Sequence, residues 1–394
     1  MRICQLSHVE TAFNFIAPLF EALRDDGHDV VAASSMDHDG AVLRQYLGDG
    51  FDFHRVEVSR KISARAFTVE VARLARYLHR EGFDVVHVHG PMAAIQGRLA
   101  ARLARIPVVI SHAHGFYFHD DMSSGARRVH IGAERVLGRY FTDYYITVNR
   151  EDRRTAIRRG FTTDPERVVG TPSVGINTDR FRPLGETSRQ AIRREFAVTK
   201  DALVVTFVGR LVTEKGVIEL ATAFADLARE RNDARLFLVG DVSPTERDQR
   251  VRDRLDRMQQ TDPALSKRIV MLGQRRDVPE VLAASDVFVL PSYREGMPVS
   301  LLEAMACEVP VITTDIRGCR EAVADGEAGL IVPPRDAGAL SDALRRLAAD
   351  PDLRDAIGKA GRRHIEAVHT IDRALAPITD LYKRIARKRC WQCP

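Results

Sequence analysis

The sequence predicts an α/β protein of two doubly wound parallel sheets, and three observations predict it. Short apolar runs alternate with longer amphipathic stretches along all 394 residues, which is the βαβα pattern of a parallel sheet with helices on both faces. The runs are nearly continuous in Val, Ile and Leu, as strands covered on both sides require. The series then restarts after "GTPSVGINTDRFRPLG", a Gly-, Pro- and Thr-rich stretch that reads as a linker.

In chain order, the first series of strand-like runs is Arg2–Ser7, Asp29–Ser34, Asp84–His89, Pro107–Ser111 and Tyr144–Val148. The second is Leu203–Val208, Arg235–Val239, Ile269–Leu272, Val287–Pro291, Val309–Thr313 and Gly329–Val332. Helical spacing lies between them, as in Phe15, Leu19, Ala22 and Leu23, and again in Ile218, Ala221, Phe224, Ala225 and Ala228. The expected domains are residues 1–182 and 183–368, each Rossmann-like, followed by 369–394 as a helix crossing back to the first domain plus a tail. Two such sheets facing each other would place ligands at the carboxyl ends of their strands, in a central cleft.

Composition narrows the class. The chain is 45% hydrophobic and 29% charged, ordinary for a globular protein, with a net charge of +5. No apolar run approaches the roughly 18 residues of a membrane span, and the N-terminus lacks the pattern of a signal peptide. Five scattered cysteines argue for a reducing compartment. "CWQC" near the C-terminus has no partners for zinc or redox chemistry. Arginines 73, 76 and 80 share one helical face and 98, 102 and 105 another; these read either as solvated faces or as surfaces resting on an anionic bilayer. No array of bases interleaved with aromatics suggests nucleic acid.

Two stretches carry the chemistry. "VTFVGRLVTEKG" leads from a strand through Gly209, Arg210 and Lys215 into a helix. Two cations at a strand-to-helix turn suit a diphosphate, and the spacing is not that of a Walker loop. No GxGxxG occurs, which disfavours a dehydrogenase. "SYREGMPVSLLEAMACEVPVITTD" places Glu295 and Gly296 in a loop, Pro298 at the expected first position of a helix, and Glu303 inside it. The helix start favours an anion. Glu303 would lie roughly 8 Å past it, so the two carboxylates would bracket a phosphate, each able to accept sugar hydroxyls. A glycosidase pair needs both acids flanking one bond, which a glutamate inside the helix disfavours. His87 and His89, like His112 and His114, alternate along strands and so share a face; they read as packing groups rather than metal ligands.

These motifs, with "LGQRRDVPEVLAASDVFVLPSYREGMPVSLLEAMACEVPVITTD", "GEAGLIVPP", "PVVISHAHGFYFHDD" and "SVGINTDRF", resemble the family 4 glycosyltransferases of GT-B fold over nearly the whole chain. "HAHGFYFH" looks like the subgroup acting in polysaccharide and lipid-linked glycan assembly. The resemblance implies retaining, metal-independent transfer of a hexosyl or N-acetylhexosaminyl group from a nucleotide-sugar, most simply a UDP-sugar. The acceptor would be a hydroxyl of a glycan, lipid-linked or small molecule. The nucleotide-sugar would be a substrate, and no cofactor is implied.

The resemblance assigns Arg210 and Lys215 to the donor diphosphate, Glu303 to the ribose, and Glu295, with the amides of Gly296 and Met297, to the donor sugar. His114 would sit at the reaction centre. Gly273, Gln274 and Arg275 would edge the base, and Gly209, Pro298 and Val299 would complete the donor site. The first strand–helix loop, "SHVETAFNF", lacks the family's glycine pair, so His8, Glu10 and Thr11 are expected on the acceptor side. The expected location is the cytoplasm, at the inner face of the membrane if the basic faces touch it. An epimerase of the same architecture and a non-catalytic nucleotide-sugar binder share these residues.

Overall fold

The computed structural model describes residues 1–8, 12–35, 43–44, 47–48, 50–58, 63–118, 122–241 and 250–390. The chain forms two compact units, one of Met1–Gly175 with Ile371–Pro394 and the other of Ile176–Thr370. The changeover therefore lies at Gly175–Ile176 rather than at 182/183. The segment beyond Ile176 is tied to the second unit: Ile176 N–H donates to His369 O at 2.8 Å, and Arg362 donates to Phe181 O at 2.8 Å. The return begins at Ile371 rather than at 369.

The first unit carries strands β1 (Arg2–Ser7), β2 (Asp29–Ser34), β3 (Asp52–Arg55), β4 (Val85–His89), β5 (Val108–Ala113), β6 (Tyr144–Thr147) and β7 (Val168–Gly170). They pair in the order β3-β2-β1-β4-β5-β6-β7, all parallel. One face is covered by helices Ala64–Glu81 and Pro91–Leu103, whose Val71, Leu74, Leu78 and Ala101 pack with Val86 and Val88 of β4. The other is covered by Phe13–Asp25 and the final helix, Ile371–Cys390. Ile378, Leu381, Tyr382 and Ile385 of that last helix are buried with Phe13, Phe20 and Ile3. Four such side chains contribute roughly 1.5–3 kcal/mol each, enough to hold the C-terminal helix on the first unit.

The second unit carries β8 (Val204–Val208), β9 (Arg235–Val239), β10 (Ile269–Gly273), β11 (Val287–Leu290), β12 (Val311–Thr314) and β13 (Leu330–Val332), in the order β10-β9-β8-β11-β12-β13. This is the dinucleotide-fold strand order, and ligands bind where it reverses. The reversal falls between β8 and β11, the strands whose exit loops carry the two motifs. β3 and β7 were not expected from the sequence. They are short edge strands, and β3 reads "DFHR", with no run of apolar residues.

Candidate functional site

β8 ends at Val208, and the chain passes through Gly209 and Arg210 to a single tight turn, Thr213–Lys215. Gly216 follows at φ +67°, and a Cβ there would lie 2.0 Å from the Pro291 carbonyl oxygen. Only glycine lets this loop press against the exit of β11. The contact is backbone to backbone on the next residues too: Tyr293 N–H donates to Glu214 O at 2.8 Å. On the far side, a Cβ at Gly318 would lie 2.4 Å from Gly296 O. The Ser292–Pro298 loop is thus held between two close glycine approaches.

That packing brings the charged side chains together. Lys215 Nζ lies 2.5 Å from Glu295 Oε1, with both side chains largely buried. Ser292 Oγ donates to the same carboxylate oxygen at 2.8 Å. The Glu214 carboxylate takes Arg210 at 2.6 Å on one oxygen and Arg294 at 3.1 Å on the other. The sequence marked Arg210, Lys215 and Glu295 but missed Ser292, Glu214 and Arg294. "TEK" and "SYRE" hold these residues one to three positions from the marked ones.

Pro298 is the N-cap of helix Val299–Ala306, in extended conformation at φ −79° and ψ 97°, rather than its first helical residue. Its carbonyl accepts from Leu301 and Leu302. The N–H groups of Val299 and Ser300 open the helix with no intrahelical acceptor, at its positive end. Met297 is buried just before them. Glu303 is the fifth residue of the helix and half-buried. Burial pushes its carboxyl up to about 8, against the opposing pull of Arg180. Arg180 also donates to Arg276 O at 3.1 Å, which links Glu303's surroundings to the loop after β10. At the end of β10 Gly273 takes φ +64° and its carbonyl accepts from Gly240 N–H at 2.8 Å. Gln274 is exposed, while Arg275 is held by Asp277 at 2.8 Å and lies 5.3 Å over the Phe196 ring.

In the first unit, His114 follows β5 and belongs to a stack of four imidazoles. Ring centroids lie 4.3 Å apart for His87–His89 and 4.2 Å for His112–His114. Burial drives His87, His89 and His112 well below the usual imidazole range and His114 down to about 4, so all four are neutral near pH 7. A chain of contacts fixes the stack. Gln5 Nε2 donates to Tyr382 Oη at 3.4 Å, and Gln5 Oε1 lies 2.7 Å from His89 Nε2. His89 Nδ1 lies 3.1 Å from His114 Nε2. With the Gln5 carbonyl accepting from His89 Nε2–H, His89 Nδ1 must accept from His114 Nε2–H. His114 Nδ1 then keeps its lone pair.

Ligand nitrogens of His87, His89 and His112 lie within 4.8 Å of one another, close enough to share a cation. Both nitrogens of His89 are already engaged, and His87 Nδ1 is 3.0 Å from Tyr382 Oη. The ring nitrogens of His112 have no hydrogen-bond partner among the described residues, and His112 lines a small cavity with His89, His114, Ser173, Phe15 and Leu375. His8 lies 3.1 Å from Ser35 Oγ. Glu10 and Thr11 lie outside the described residues. Arg98 does not join a basic face: it is 1% exposed and bonds Glu134 at 2.7 Å. Arg102 pairs with Asp143 at 2.9 Å, and Arg105 lies beyond the helix end at φ +57°.

Residues 14–172 match the family description "Glycosyl transferase 4-like domain" and 188–364 match "Glycosyl transferases group 1". The chain is 30% identical over 370 residues to the UDP-Gal:alpha-D-GlcNAc-diphosphoundecaprenol alpha-1,3-galactosyltransferase of Escherichia coli, covering 92% of this chain and 91% of that one. It is 28% identical to the N,N'-diacetylbacillosaminyl-diphospho-undecaprenol alpha-1,3-N-acetylgalactosaminyltransferase of Campylobacter jejuni, covering 90% and 91%. In fold it is similar to HepE from Anabaena, solved in complex with UDP, with a TM-score of 0.79 at 20% identity over 98% of this chain and 100% of that one. With two parallel α/β units, strand order reversing at the glutamate-bearing loop, and relatives matched over nearly their whole length, the chain belongs to the family 4 glycosyltransferases of GT-B fold.

Proposed function

We propose that this glycosyltransferase moves a hexosyl or N-acetylhexosaminyl group from a UDP-sugar to a hydroxyl of a lipid-linked glycan, with retention and without a metal or cofactor. One observation carries the reading: the Lys215–Glu295 contact, made where the second sheet's strand order reverses and four positions before the first residue of helix Val299–Ala306. Support for the donor comes from the E. coli relative, whose name specifies UDP-Gal. Support for the acceptor comes from the diphosphoundecaprenol named for both relatives.

In this reading the second unit holds the donor. Arg210, Lys215 and the amides of Val299 and Ser300 receive the charge that develops on the departing diphosphate, the largest single contribution to such catalysis. Glu295 accepts hydroxyls of the donor sugar, with the amides of Gly296 and Met297 beside it. Glu303 takes the ribose, and Gly209 and Gly273–Arg275 border the nucleotide. The first unit supplies the acceptor side, with His114 and His8. The bond from the sugar's anomeric carbon to the diphosphate oxygen breaks, the acceptor oxygen bonds to that carbon on the same face, and its proton passes to the departing diphosphate. The reaction would take place in the cytoplasm, at the inner face of the membrane.

The test incubates the purified chain with UDP-hexoses and UDP-N-acetylhexosamines, with and without a diphospholipid-linked sugar, and measures UDP release. Acceptor-dependent release that survives chelation of divalent cations is expected. An epimerised donor without acceptor would identify an isomerase instead. Binding of UDP-sugar with no release across the acceptor panel would identify a non-catalytic binder.

A further inference from the structure

Three of the stacked histidines form a set that the transfer chemistry does not use. β4 and β5 pair in register with His89 opposite His112, and His87 lies two positions before His89 on the same face. All three are buried. One ring nitrogen from each lies within 4.8 Å of the other two, and no carboxylate or thiol joins the group among the described residues.

Hydrogen bonding decides which nitrogens remain. His87 Nδ1 faces Tyr382 Oη at 3.0 Å, and its Nε2 has no partner among the described residues. His89 Nε2 faces Gln5 Oε1 at 2.7 Å, which leaves Nδ1 its lone pair. His112 has neither nitrogen bonded among the described residues. A buried polar group left without a partner costs about 1–3 kcal/mol, so the set has something to gain from a ligand. His87 and His89 each have an oxygen behind one nitrogen and the other nitrogen left over, which is how metal-bound imidazoles are held.

An all-imidazole set suits a zinc-class cation and not magnesium or calcium, which take oxygen. We propose that His87, His89 and His112 hold such a cation, and that its arrival takes His89 Nδ1 away from His114. That nitrogen accepts from His114 Nε2–H at 3.1 Å. One lone pair cannot serve both, so the bond to His114 and the bond to the cation exclude each other. No proton has to leave the protein. His87 carries its proton on Nδ1, toward Tyr382 Oη, each ring gives a lone pair, and His114 keeps its Nε2–H without that acceptor. Tetrahedral zinc sets its nitrogens roughly 3.3 Å apart, so the three imidazoles draw together and the four-ring stack opens. His89 and His112 also line the cavity of about 10 Å³, about the room of the one water that would complete the coordination. The cation takes no part in sugar transfer; it untethers His114 and slows the reaction. That consequence rests on the place of His114 at the reaction centre, whereas the binding of the metal does not.

The experiment titrates cobalt(II), a coloured stand-in for zinc, into the full chain carrying Cys390→Ser and Cys393→Ser, because the thiols of "CWQC" would compete for it. One cobalt per chain is expected, with the visible spectrum of a tetrahedral site, displaced by zinc. His87→Gln and His112→Gln should each weaken binding at least about a hundredfold, and Tyr382→Phe about ten- to a hundredfold. Circular dichroism checks every variant, and Tyr382→Phe carries the test if a histidine variant fails to fold. Zinc should shift the His114 ring nitrogens in NMR spectra. It should also slow UDP release in the parent chain, reversibly on chelation. No cobalt bound, or affinity unchanged in the folded variants, would overturn the site. His114 signals that do not move in the zinc-loaded chain would overturn its coupling to His114, whatever the transfer assay shows.

Discussion

Lys215 Nζ and Glu295 Oε1 lie 2.5 Å apart although eighty positions separate them in the chain. They meet because β8 and β11 are neighbours where the strand order of the second sheet reverses, and because Gly216 lets one exit loop rest on the other. Removing the lysine leaves a largely buried carboxylate without its cation. Lys215→Ala should therefore cost about 3 kcal/mol of stability, whereas Lys215→Met with Glu295→Gln should cost far less. Denaturant unfolding of the two variants measures the difference. Equal losses would mean that the pair is not coupled.

Glu303 should make nucleotide binding depend on pH. Its carboxyl is raised to about 8, so the folded chain keeps a proton there that the unfolded chain sheds in the ordinary carboxylate range. The stability this contributes is full at low pH and is lost as pH rises through about 8. A ribose that prefers the carboxylate must displace that proton. UDP binding near pH 7 is therefore expected to release a proton, seen as an enthalpy that varies with buffer in calorimetry. Glu303→Gln should abolish the variation and bind more weakly.

The stacked histidines work in the opposite sense. His87, His89, His112 and His114 are held below their unfolded values, so the unfolded chain binds more protons as pH falls below about 6.5. The stability they contribute is present above that pH and drains away in acid, by up to about 1.4 kcal/mol per pH unit for each group. Thermal melts at pH 7.5 and 5 should differ markedly in wild type and less in His112→Gln. An unchanged acid response in the variant would place the sensitivity elsewhere.

Gln5 should act on His114 through His89. Gln5→Leu cuts both links, to Tyr382 and to His89. It is expected to lower kcat about tenfold with KM little changed and to shift the tautomer of His114 in nitrogen NMR spectra. A change in melting temperature alone, with the His114 tautomer intact, would leave Gln5 a packing residue.

The grouping of Lys215 with Glu295 in the second unit was legible because its signals are local. Arg210 and Lys215 lie in the one segment between β8 and the next helix, and Glu295 and Glu303 within one loop and helix. What escaped depends on contacts far apart in the chain. Gln5 and Tyr382 are 377 positions apart, and nothing near either announces the other. Arg98 and Arg102 sit one turn apart with the same spacing, yet Arg98 is buried against Glu134 and Arg102 is partly exposed. Periodicity alone cannot tell a buried ion pair from a solvated face. The exposed row of Val129, Val136 and Tyr140 went unmarked for a related reason: spacing alone does not say which face of a helix is buried, and here Glu134 and Gly138 take the inner one.

The most direct measurement is calorimetry of UDP and of uridine against wild type, Lys215→Ala and Arg210→Ala. Wild type should bind UDP far more tightly than uridine. Each substitution should weaken UDP roughly ten- to a hundredfold, by loss of a charge-assisted contact of about 1.5–3 kcal/mol, and leave uridine unchanged. Undiminished UDP affinity in both variants would contradict a diphosphate held by the β8 turn.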